Sequence, residues 1–305
     1  MSLNHSLCVV GAEEGCKPNY SAAYRAVARY LASGGAVLYA AEDLPPEETL
    51  NNFSRATNID VETFVKNGAL TIMKYDAPYN GNDSKGLDSR NLIKWWQSEV
   101  RKKQKKKYRQ VLIVDTCKPF TDKGNYNGLV DYECVKRNAL SPSPSPSPST
   151  ASAAKSSEFA LFSSATTTTV ECICCFNASA ITRIPSMPML TSILFSHDNK
   201  IGSAEKEGGG EEEEPLVMQP LYSSHMQQLL RQSIDDILGR GTCNLVIKTM
   251  KLVYRMDEET VIKRPSLFAE TLERLLGKRI ANTVLANVLD KMKERIIKVD
   301  CPCSC

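Results

Sequence analysis

The sequence lacks the features that identify several large classes of protein. No run of about 18 apolar residues occurs in its 305 residues, so we expect no membrane-spanning helix. Basic residues exceed acidic ones only slightly, 38 against 35, so charge alone does not predict nucleic-acid binding. The first residues carry no charged lead before a long apolar stretch, and we therefore expect no secretory signal. Without an export signal, the odd number of cysteines, eleven, favours reduced thiols in a cytoplasm over a disulfide framework.

Catalytic motifs are also scarce. The patterns G-x-S-x-G, H-E-x-x-H and G-x-G-x-x-G do not occur. The three histidines are His5, His197 and His225, and their scatter predicts local hydrogen bonding rather than a zinc site. The segment Gly11-Ala-Glu-Glu-Gly-Cys-Lys-Pro18 approaches a phosphate-binding loop, but it is one residue short, proline replaces the hydroxyl, and two glutamates would face the phosphates. We therefore expect no nucleotide hydrolysis, no enzymatic activity and no cofactor.

Two segments of biased composition divide the chain. Residues 204–220 contain six glutamates and three glycines, which cannot bury apolar area, so we expect a solvated linker. Residues 140–165 contain a strict Ser-Pro alternation and predict a disordered insertion. The linker separates a first domain, 1–203, from a second domain, 221–297, which a cysteine-rich tail follows at 298–305. We expect the two domains to fold independently.

The first domain has the pattern of an α/β protein. Leu7–Val10 and Ala36–Ala41 are short apolar runs, and the segment between them has helical spacing. Strand, helix and strand within about 35 residues indicate a βαβ unit with parallel pairing. Further helices alternate with strands, among them the buried-type strand Val111–Val114, which Asp115 closes. This alternation predicts a mostly parallel sheet with helices on both faces.

The cysteines fall into two groups with different expected chemistry. Cys172, Cys174 and Cys175 lie on a predicted strand, where alternation puts Cys175 on the face opposite the other two. Three thiols on one rigid strand do not converge easily on a metal, so we interpret them as small buried apolar residues. Exposed thiols spaced C-x-C-x-C could instead bind a soft metal or oxidise, and the tail has that spacing at Cys301, Cys303 and Cys305.

Several short motifs follow one another through the first domain. They are Asn4-His5-Ser-Leu-Cys-Val-Val10, the segment from Val37 to Glu48, the segment from Asn58 to Leu70, Tyr132-Glu133, Cys174-Cys-Phe-Asn177 and Leu194-Phe-Ser-His197. In this order they resemble the MEDS domain, the sensory domain of the methanogen and methylotroph DcmR type. Cys175 stands where the family usually has glutamine, and Asn177 stands where it has aspartate. The resemblance implies a RecA/KaiC-type fold without a working phosphate loop, which acts as a ligand-sensing module rather than an enzyme.

The second domain has an all-helical pattern. Apolar residues at helical spacing predict four helices, whose inward faces include Ile234, Leu245, Val253, Phe268 and Ile280. The segments Ser233–Gly239 and Arg264–Phe268, with Leu275-Leu276-Gly277, resemble a family of C-terminal output domains described in ammonia-oxidising archaea of the Nitrosopumilus type. That resemblance implies a small helical bundle with a role in signal output.

A ligand pocket in an open parallel sheet is expected at the carboxyl edge of the strands. Polar residues that follow predicted strands there are Glu13, Glu14, Glu42, Asp43 and Asp115. The MEDS resemblance adds three further candidate ligand-binding residues, His5, Tyr132 and Glu133. Together these eight residues are the predicted site for an unknown small molecule.

The pattern as a whole favours an archaeal-type cytoplasmic sensory protein with a small-molecule ligand and a protein partner for its helical domain. Two alternatives stay open. One is a DNA-binding regulator, since the second domain has a small net positive charge and the run 101–109 is strongly basic, although a solvated helix end also explains that run. The other is a nucleotide-binding RecA-like ATPase that uses the same sheet edge.

Overall fold

A computed structural model of the chain describes residues 5–11, 19–76, 88–140, 168–203, 216–220, 223–257, 260 and 264–298. Several predictions lie outside these residues. They concern Glu13 and Glu14, almost all of the insertion predicted at 140–165, and the metal-binding role of the tail cysteines Cys301, Cys303 and Cys305.

Seven strands form one sheet in the order β3-β2-β4-β5-β1-β6-β7. The strands are β1 His5–Val10, β2 Ala36–Ala40, β3 Leu70–Ile72, β4 Gln110–Thr116, β5 Thr169–Asn177, β6 Asn199–Ser203 and β7 Leu216–Pro220. The first six strands in the order pair parallel, whereas β7 pairs antiparallel with β6. The prediction of an α/β fold with a mostly parallel sheet is confirmed.

Twelve helices of five or more residues lie in the described part of the chain. They are α1 Ser21–Ala32, α2 Pro46–Ala56, α3 Val61–Lys66, α4 Ser89–Lys105, α5 Lys118–Asp122, α6 Tyr126–Leu140, α7 Ala178–Thr182, α8 Met187–Ser196, α9 Ser223–Leu238, α10 Arg240–Tyr254, α11 Pro265–Leu276 and α12 Lys278–Lys298. Aspartate side chains cap two of them: Asp60 accepts a hydrogen bond from the backbone N–H of Thr63, and Asp88 from that of Arg90. No helix in these ranges has both the length and the apolarity needed to cross a bilayer.

The two faces of the sheet build separate apolar cores. On one face, Leu7, Ile113 and Cys174 pack with helices α4 to α8, and Trp96 of α4 is fully buried there. On the other face, alternate residues of the same strands, such as Cys175, pack with α1, α2 and α3. Register explains the division, because Leu7 of β1 and Asp115 of β4 both lie beside Cys174 of β5 and point to the same side as it does. We call this side, which α6 and α8 cover, the first face.

The C-terminal helices pack against the first face. Buried side chains of α11 and α12, such as Phe268 and Val288, belong to the same apolar core as the first face of the sheet. Both helices contact α8, and the Nζ of Lys200 in β6 donates a 2.6 Å hydrogen bond to the carbonyl of Ile296 in α12. Packed contacts therefore cross the boundary that the sequence predicted between two independent domains.

Three details differ from the expectations. Residues 216–220, predicted to be the end of the linker, form the edge strand β7. This segment begins with three apolar residues rather than glutamates, and its backbone pairs with β6. Three residues of the C-terminal helices were expected inward but are exposed, namely Leu245, Val253 and Ile280, at 64%, 65% and 47%. In α10 the inward face is filled by Val246 and Met250, and in α12 by Ala281 and Val284.

The third difference is Lys103, which belongs to the basic run that was expected to stay in water. Its side chain is buried instead, and its Nζ donates hydrogen bonds to the carbonyls of Gly68 and Ala69 and to Oγ1 of Thr71. These acceptors come from β3 and the turn before it, which lie next to the last turns of α4. Burial lowers the pKa of Lys103 to about 8.

Candidate functional site

A group of buried polar side chains lies between the sheet and α6 on the first face. Each member is at most 2% exposed, and hydrogen bonds or ion pairs connect all of them. We call this group the polar centre; its members are His5, Asp115, Tyr132, Glu133, Lys136, Cys174 and His197.

Five elements of the fold bring these residues together. His5 opens β1, while Asp115 of β4 and Cys174 of β5 are direct neighbours in the register of the sheet. On α6, Lys136 follows Tyr132 by four residues and Glu133 by three, so the three side chains share the helix face that covers the sheet. His197 follows the last residue of α8 as its C-cap.

Lys136 is the cation of the polar centre. Its Nζ lies 3.1 Å from Oδ2 of Asp115, 3.0 Å from Oε1 of Glu133 and 3.0 Å from Sγ of Cys174. The hydroxyl of Tyr132 donates to Oδ2 of Asp115 at 2.7 Å and accepts from Nε1 of Trp96 at 3.0 Å. Lys136 also donates to Oδ1 of Asp115 at 3.2 Å, so both oxygens of Asp115 accept hydrogen bonds. Oε2 of Glu133 instead lies next to the two histidines.

Backbone carbonyls fix the two histidine rings. Nδ1 of His5 lies 2.5 Å from the carbonyl of Ser196, and Nδ1 of His197 lies 2.7 Å from the carbonyl of Ile193. A carbonyl only accepts, so each Nδ1 carries a hydrogen. The Nε2 atoms of His5 and His197 then both face Oε2 of Glu133, at 3.2 and 3.4 Å.

Burial and neighbouring charges shift the pKa values of this group. Burial alone would raise the pKa of Glu133, but the positive charge of Lys136 holds that pKa well below its usual range. Burial alone would lower the pKa of Lys136, but Asp115 and its other anionic neighbours hold it well above the usual value. Burial lowers the pKa of His197 to about 3 and raises that of Cys174 well above its usual value. Glu133 and Lys136 are therefore charged at neutral pH, and His197 is neutral.

A cavity of about 220 Å³ opens beside the polar centre, at the carboxyl ends of β4 and β5. Its lining includes Cys117, Phe176, Asn177, Ala180 and Arg183. Two of these residues also touch the polar centre, since Sγ of Cys117 donates to Oε1 of Glu133 at 2.9 Å and the ring of Phe176 meets that of His197 edge-on. The cavity and the polar centre therefore share a wall at the sheet edge where a pocket was predicted.

The predicted site residues separate into two groups. His5, Asp115, Tyr132 and Glu133 belong to the polar centre. The other two described candidates do not: Glu42 lies on the opposite face, where it accepts hydrogen bonds from the hydroxyls of Tyr24 and Tyr39 at 2.6 and 2.7 Å, and Asp43 forms an exposed ion pair with Lys118. One side of the sheet therefore receives four of the six described candidates.

Sequence reasoning missed Lys136, Cys174 and His197 as members of this site. Cys174 was interpreted as a small apolar residue, and His197 as a local hydrogen-bonding residue. A signal existed for Lys136, because a lysine three residues after Glu133 shares its face on a predicted helix. Nothing in the chain order placed α8 next to β1, so His197 could not be paired with His5 on pattern alone.

The ligand atoms of four members lie close enough to hold a metal ion. Within the described residues, His5, Glu133, Cys174 and His197 each offer one donor atom, and these atoms are all within 4.8 Å of one another. A second group, Asp115, Cys172 and Cys174, shares Cys174 with the first. All of these side chains are buried.

Comparisons with known proteins bear on the first part of the chain. The family model described as MEDS, MEthanogen/methylotroph, DcmR Sensory domain, matches residues 5–144. Neither the curated proteins nor the solved structures contain a match to the chain. The matched range includes five residues of the polar centre, from His5 to Lys136, and ends before Cys174 and His197. The match supports a MEDS domain in the N-terminal part of the chain, and this sensory domain suggests a sensory or regulatory role.

Proposed function

We propose that the chain is a signal-transduction protein of archaeal type in which a cytoplasmic α/β part senses a small molecule and the C-terminal helices pass on the signal. In this proposal the α/β part is a RecA/KaiC-like fold without a working phosphate loop. The polar centre and the adjoining cavity together form the input site. The four C-terminal helices, α9 to α12, form the output part.

Burying the charged groups of the polar centre costs free energy, as is typical of functional sites. Buried ion pairs seldom stabilise a fold more than apolar residues of similar volume would, because removing each charge from water costs several kcal/mol. Here Asp115, Glu133 and Lys136 are fully buried, with two histidines and a thiol around them. Such departures from simple core packing concentrate at functional sites. The free-energy cost of burying these charges therefore supports a role beyond stability.

The observation that carries the proposal is the position of α8. His197 of the polar centre caps the C-terminus of this helix, and the carbonyls of Ile193 and Ser196 in its last turn hold the two histidine rings. The same helix packs against α11 and α12. A change in the polar centre that moves His197 therefore acts directly on the element against which the output helices rest.

The cavity supplies a place for the ligand. Its volume of about 220 Å³ is below the range of about 300–1,000 Å³ that drug-sized molecules occupy, so it suits a molecule of a few heavy atoms. Its lining combines polar groups of Asn177 and Arg183 with the apolar Phe176 and Ala180, which fits a small, partly polar molecule. Its contact with Glu133 passes through Cys117.

The output part also has a surface that is suited to a protein partner. Leu245, Leu252 and Val253 of α10 are 64%, 80% and 65% exposed, and their spacing of seven and eight residues puts them on one side of the helix. Exposed apolar patches of this kind are typical of sites that bind another protein. We assign the output contact to this side of α10.

Hydrogen exchange in the full chain tests the relay. We expect His197→Gln to speed amide exchange in α11 and α12, because the substitution disturbs the last turn of α8 on which they pack. The matched control is Glu42→Gln. The Glu42 side chain is as buried as that of His197 but lies on the opposite face of the sheet. This control should affect α1 and β2 and leave α11 and α12 unchanged.

Two outcomes would contradict the relay. One is unchanged exchange in α11 and α12 of His197→Gln while α8 itself becomes less protected. The other is an equal effect of both variants on α11 and α12, which would indicate a general loss of stability rather than a path through α8.

A further inference from the structure

We propose that His5, Glu133, Cys174 and His197 are the four ligands of a divalent metal ion of the Zn²⁺ class. Two imidazole nitrogens, one thiolate and one carboxylate oxygen are the donors that this borderline ion accepts in proteins. The site lies in the polar centre, and the geometry, hydrogen bonds and charges of these side chains carry the assignment. The assignment therefore does not depend on the sensory role proposed above.

The spacing of the donor atoms fits tetrahedral coordination. Nε2 of His5 lies 3.1 Å from Sγ of Cys174 and 3.2 Å from Oε2 of Glu133. That oxygen lies 3.4 Å from Nε2 of His197 and 3.5 Å from Sγ of Cys174. Tetrahedral zinc bonds of about 2.0–2.3 Å place ligand atoms about 3.3–3.8 Å apart. The four distances lie within about 0.2 Å of this range, and the other two pairs of donor atoms are within 4.8 Å, so one ion can reach all four atoms after small shifts.

The second shell orients both imidazoles for coordination. A metal-bound histidine typically donates its other ring N–H to a carbonyl or a carboxylate, which fixes the tautomer and the direction of the free lone pair. Here Nδ1 of His5 and Nδ1 of His197 each meet a carbonyl from the last turn of α8. Both Nε2 lone pairs consequently point at the same place.

One of these lone pairs has no partner. Nε2 of His197 is fully buried and makes no hydrogen bond, although it is 3.4 Å from Oε2 of Glu133. A buried polar atom without a partner costs free energy. Because its Nδ1 carries the hydrogen, Nε2 presents a lone pair toward a carboxylate oxygen. Two such electron-rich atoms repel each other. A cation between the two atoms satisfies both.

A divalent ion also balances the charge of the polar centre. Asp115, Glu133 and a Cys174 thiolate carry three negative charges, and Lys136 together with the ion carries three positive ones. The two oxygens of Glu133 have different partners. Oε1 accepts from Lys136 and Cys117, which leaves Oε2 for the ion. The ion would displace the thiol proton of Cys174 on binding, and the hydrogen bond that Lys136 donates to Sγ would then stabilise the thiolate.

The second group of candidate ligands is weaker. Sγ of Cys172 lies 3.8 Å from Sγ of Cys174 and 3.9 Å from Oδ1 of Asp115, and Asp115 already accepts from Tyr132 and Lys136. This group also lacks a histidine. We therefore assign the ion to the histidine side of Cys174.

Metal analysis of the full chain tests the assignment. The protein is purified from zinc-supplemented culture, and its zinc content is measured by inductively coupled plasma mass spectrometry. We expect one ion per chain in the wild type. In Cys174→Ser and His197→Gln the zinc affinity should fall by more than the ~10–100-fold that is typical of second-shell changes. The matched control is Cys175→Ser, the next residue on β5, which faces the other side of the sheet and should keep its zinc.

Two further preparations guard against misleading results. Co²⁺ added to the metal-free wild type should give the thiolate-to-cobalt absorption of a tetrahedral site, which does not depend on a variant folding. A chain with Cys301, Cys303 and Cys305 replaced by serine should keep both the zinc and this absorption.

The inference is wrong if the wild type takes up neither zinc nor cobalt, or if the tail variant loses the metal and Cys174→Ser keeps it. These outcomes are distinct from those of the relay experiment. A chain that holds zinc but shows no change in α11 and α12 would retain the metal site and contradict the sensory proposal.

Discussion

Removing the amine of Lys136 should destabilise the fold strongly. The side chain is 2% exposed, and its Nζ lies within 3.2 Å of Asp115 and Glu133. Lys136→Met keeps most of the volume but leaves two buried carboxylates without their cation. Breaking a buried pair in this way costs about 3–5 kcal/mol. That is a large fraction of the ~5–15 kcal/mol by which most domains are stable.

Urea denaturation of the full chain, followed by circular dichroism with chelator present, measures this loss as a change in midpoint. The matched control is Lys118→Met, because Lys118 pairs with Asp43 in water, at 38% and 61% exposure. An exposed pair contributes about 0–1 kcal/mol, so the control should shift the midpoint little. The double variant Lys136→Met with Asp115→Asn should recover part of the loss, since it removes a charge that the single variant leaves unpaired.

The reasoning about the polar centre would be refuted by a Lys136→Met chain that loses less than about 1 kcal/mol, as the control does. It would also be refuted by a double variant that is less stable than the sum of its single variants predicts. Either result would mean that Asp115 and Glu133 are not held as charged groups by Lys136.

Two other predictions concern thiol reactivity and pH. Alkylation of the native chain should label the exposed Cys134 quickly and the buried Cys174 slowly, as peptide mass spectrometry after a short pulse would reveal; equal rates would contradict the covered first face. Burial holds the pKa of Lys103 at about 8, below the ~10.4 of an unfolded chain, so the unfolded state binds more protons between these values. Stability should therefore rise from pH 8 to pH 10, and Lys103→Met, followed by thermal melting, should remove that part of the slope.

Local signals in the sequence were sufficient for much of the fold. The predicted strands Leu7–Val10, Ala36–Ala41 and Val111–Val114 coincide with β1, β2 and β4 to within two residues at each end, because short apolar runs mark buried strands. The alternation around Cys174 correctly separated it from Cys175. These features depend on residues only a few positions apart.

The candidate site was harder to predict because its contacts are long-range. His5 and His197 are 192 positions apart in the chain and meet only because α8 returns to the start of β1. Glu42 was grouped with Asp115 as a residue that follows a strand, but the Glu42 carboxylate lies on the opposite face of the sheet. Strand alternation turns a shift of one residue into a change of face, and the sequence did not fix that register at the strand ends.

The sensory account is tested most directly by native mass spectrometry of the freshly purified full chain. It predicts a small-molecule adduct besides any metal ion, since the cavity beside Cys117 and Phe176 is the proposed ligand site. Ala180→Phe places a ring in that cavity and should abolish the adduct, whereas Ser54→Phe on the exposed side of α2 should keep it. An adduct that persists in Ala180→Phe would contradict the sensory role. So would a wild-type chain that carries no small molecule even after incubation with crude cell extract.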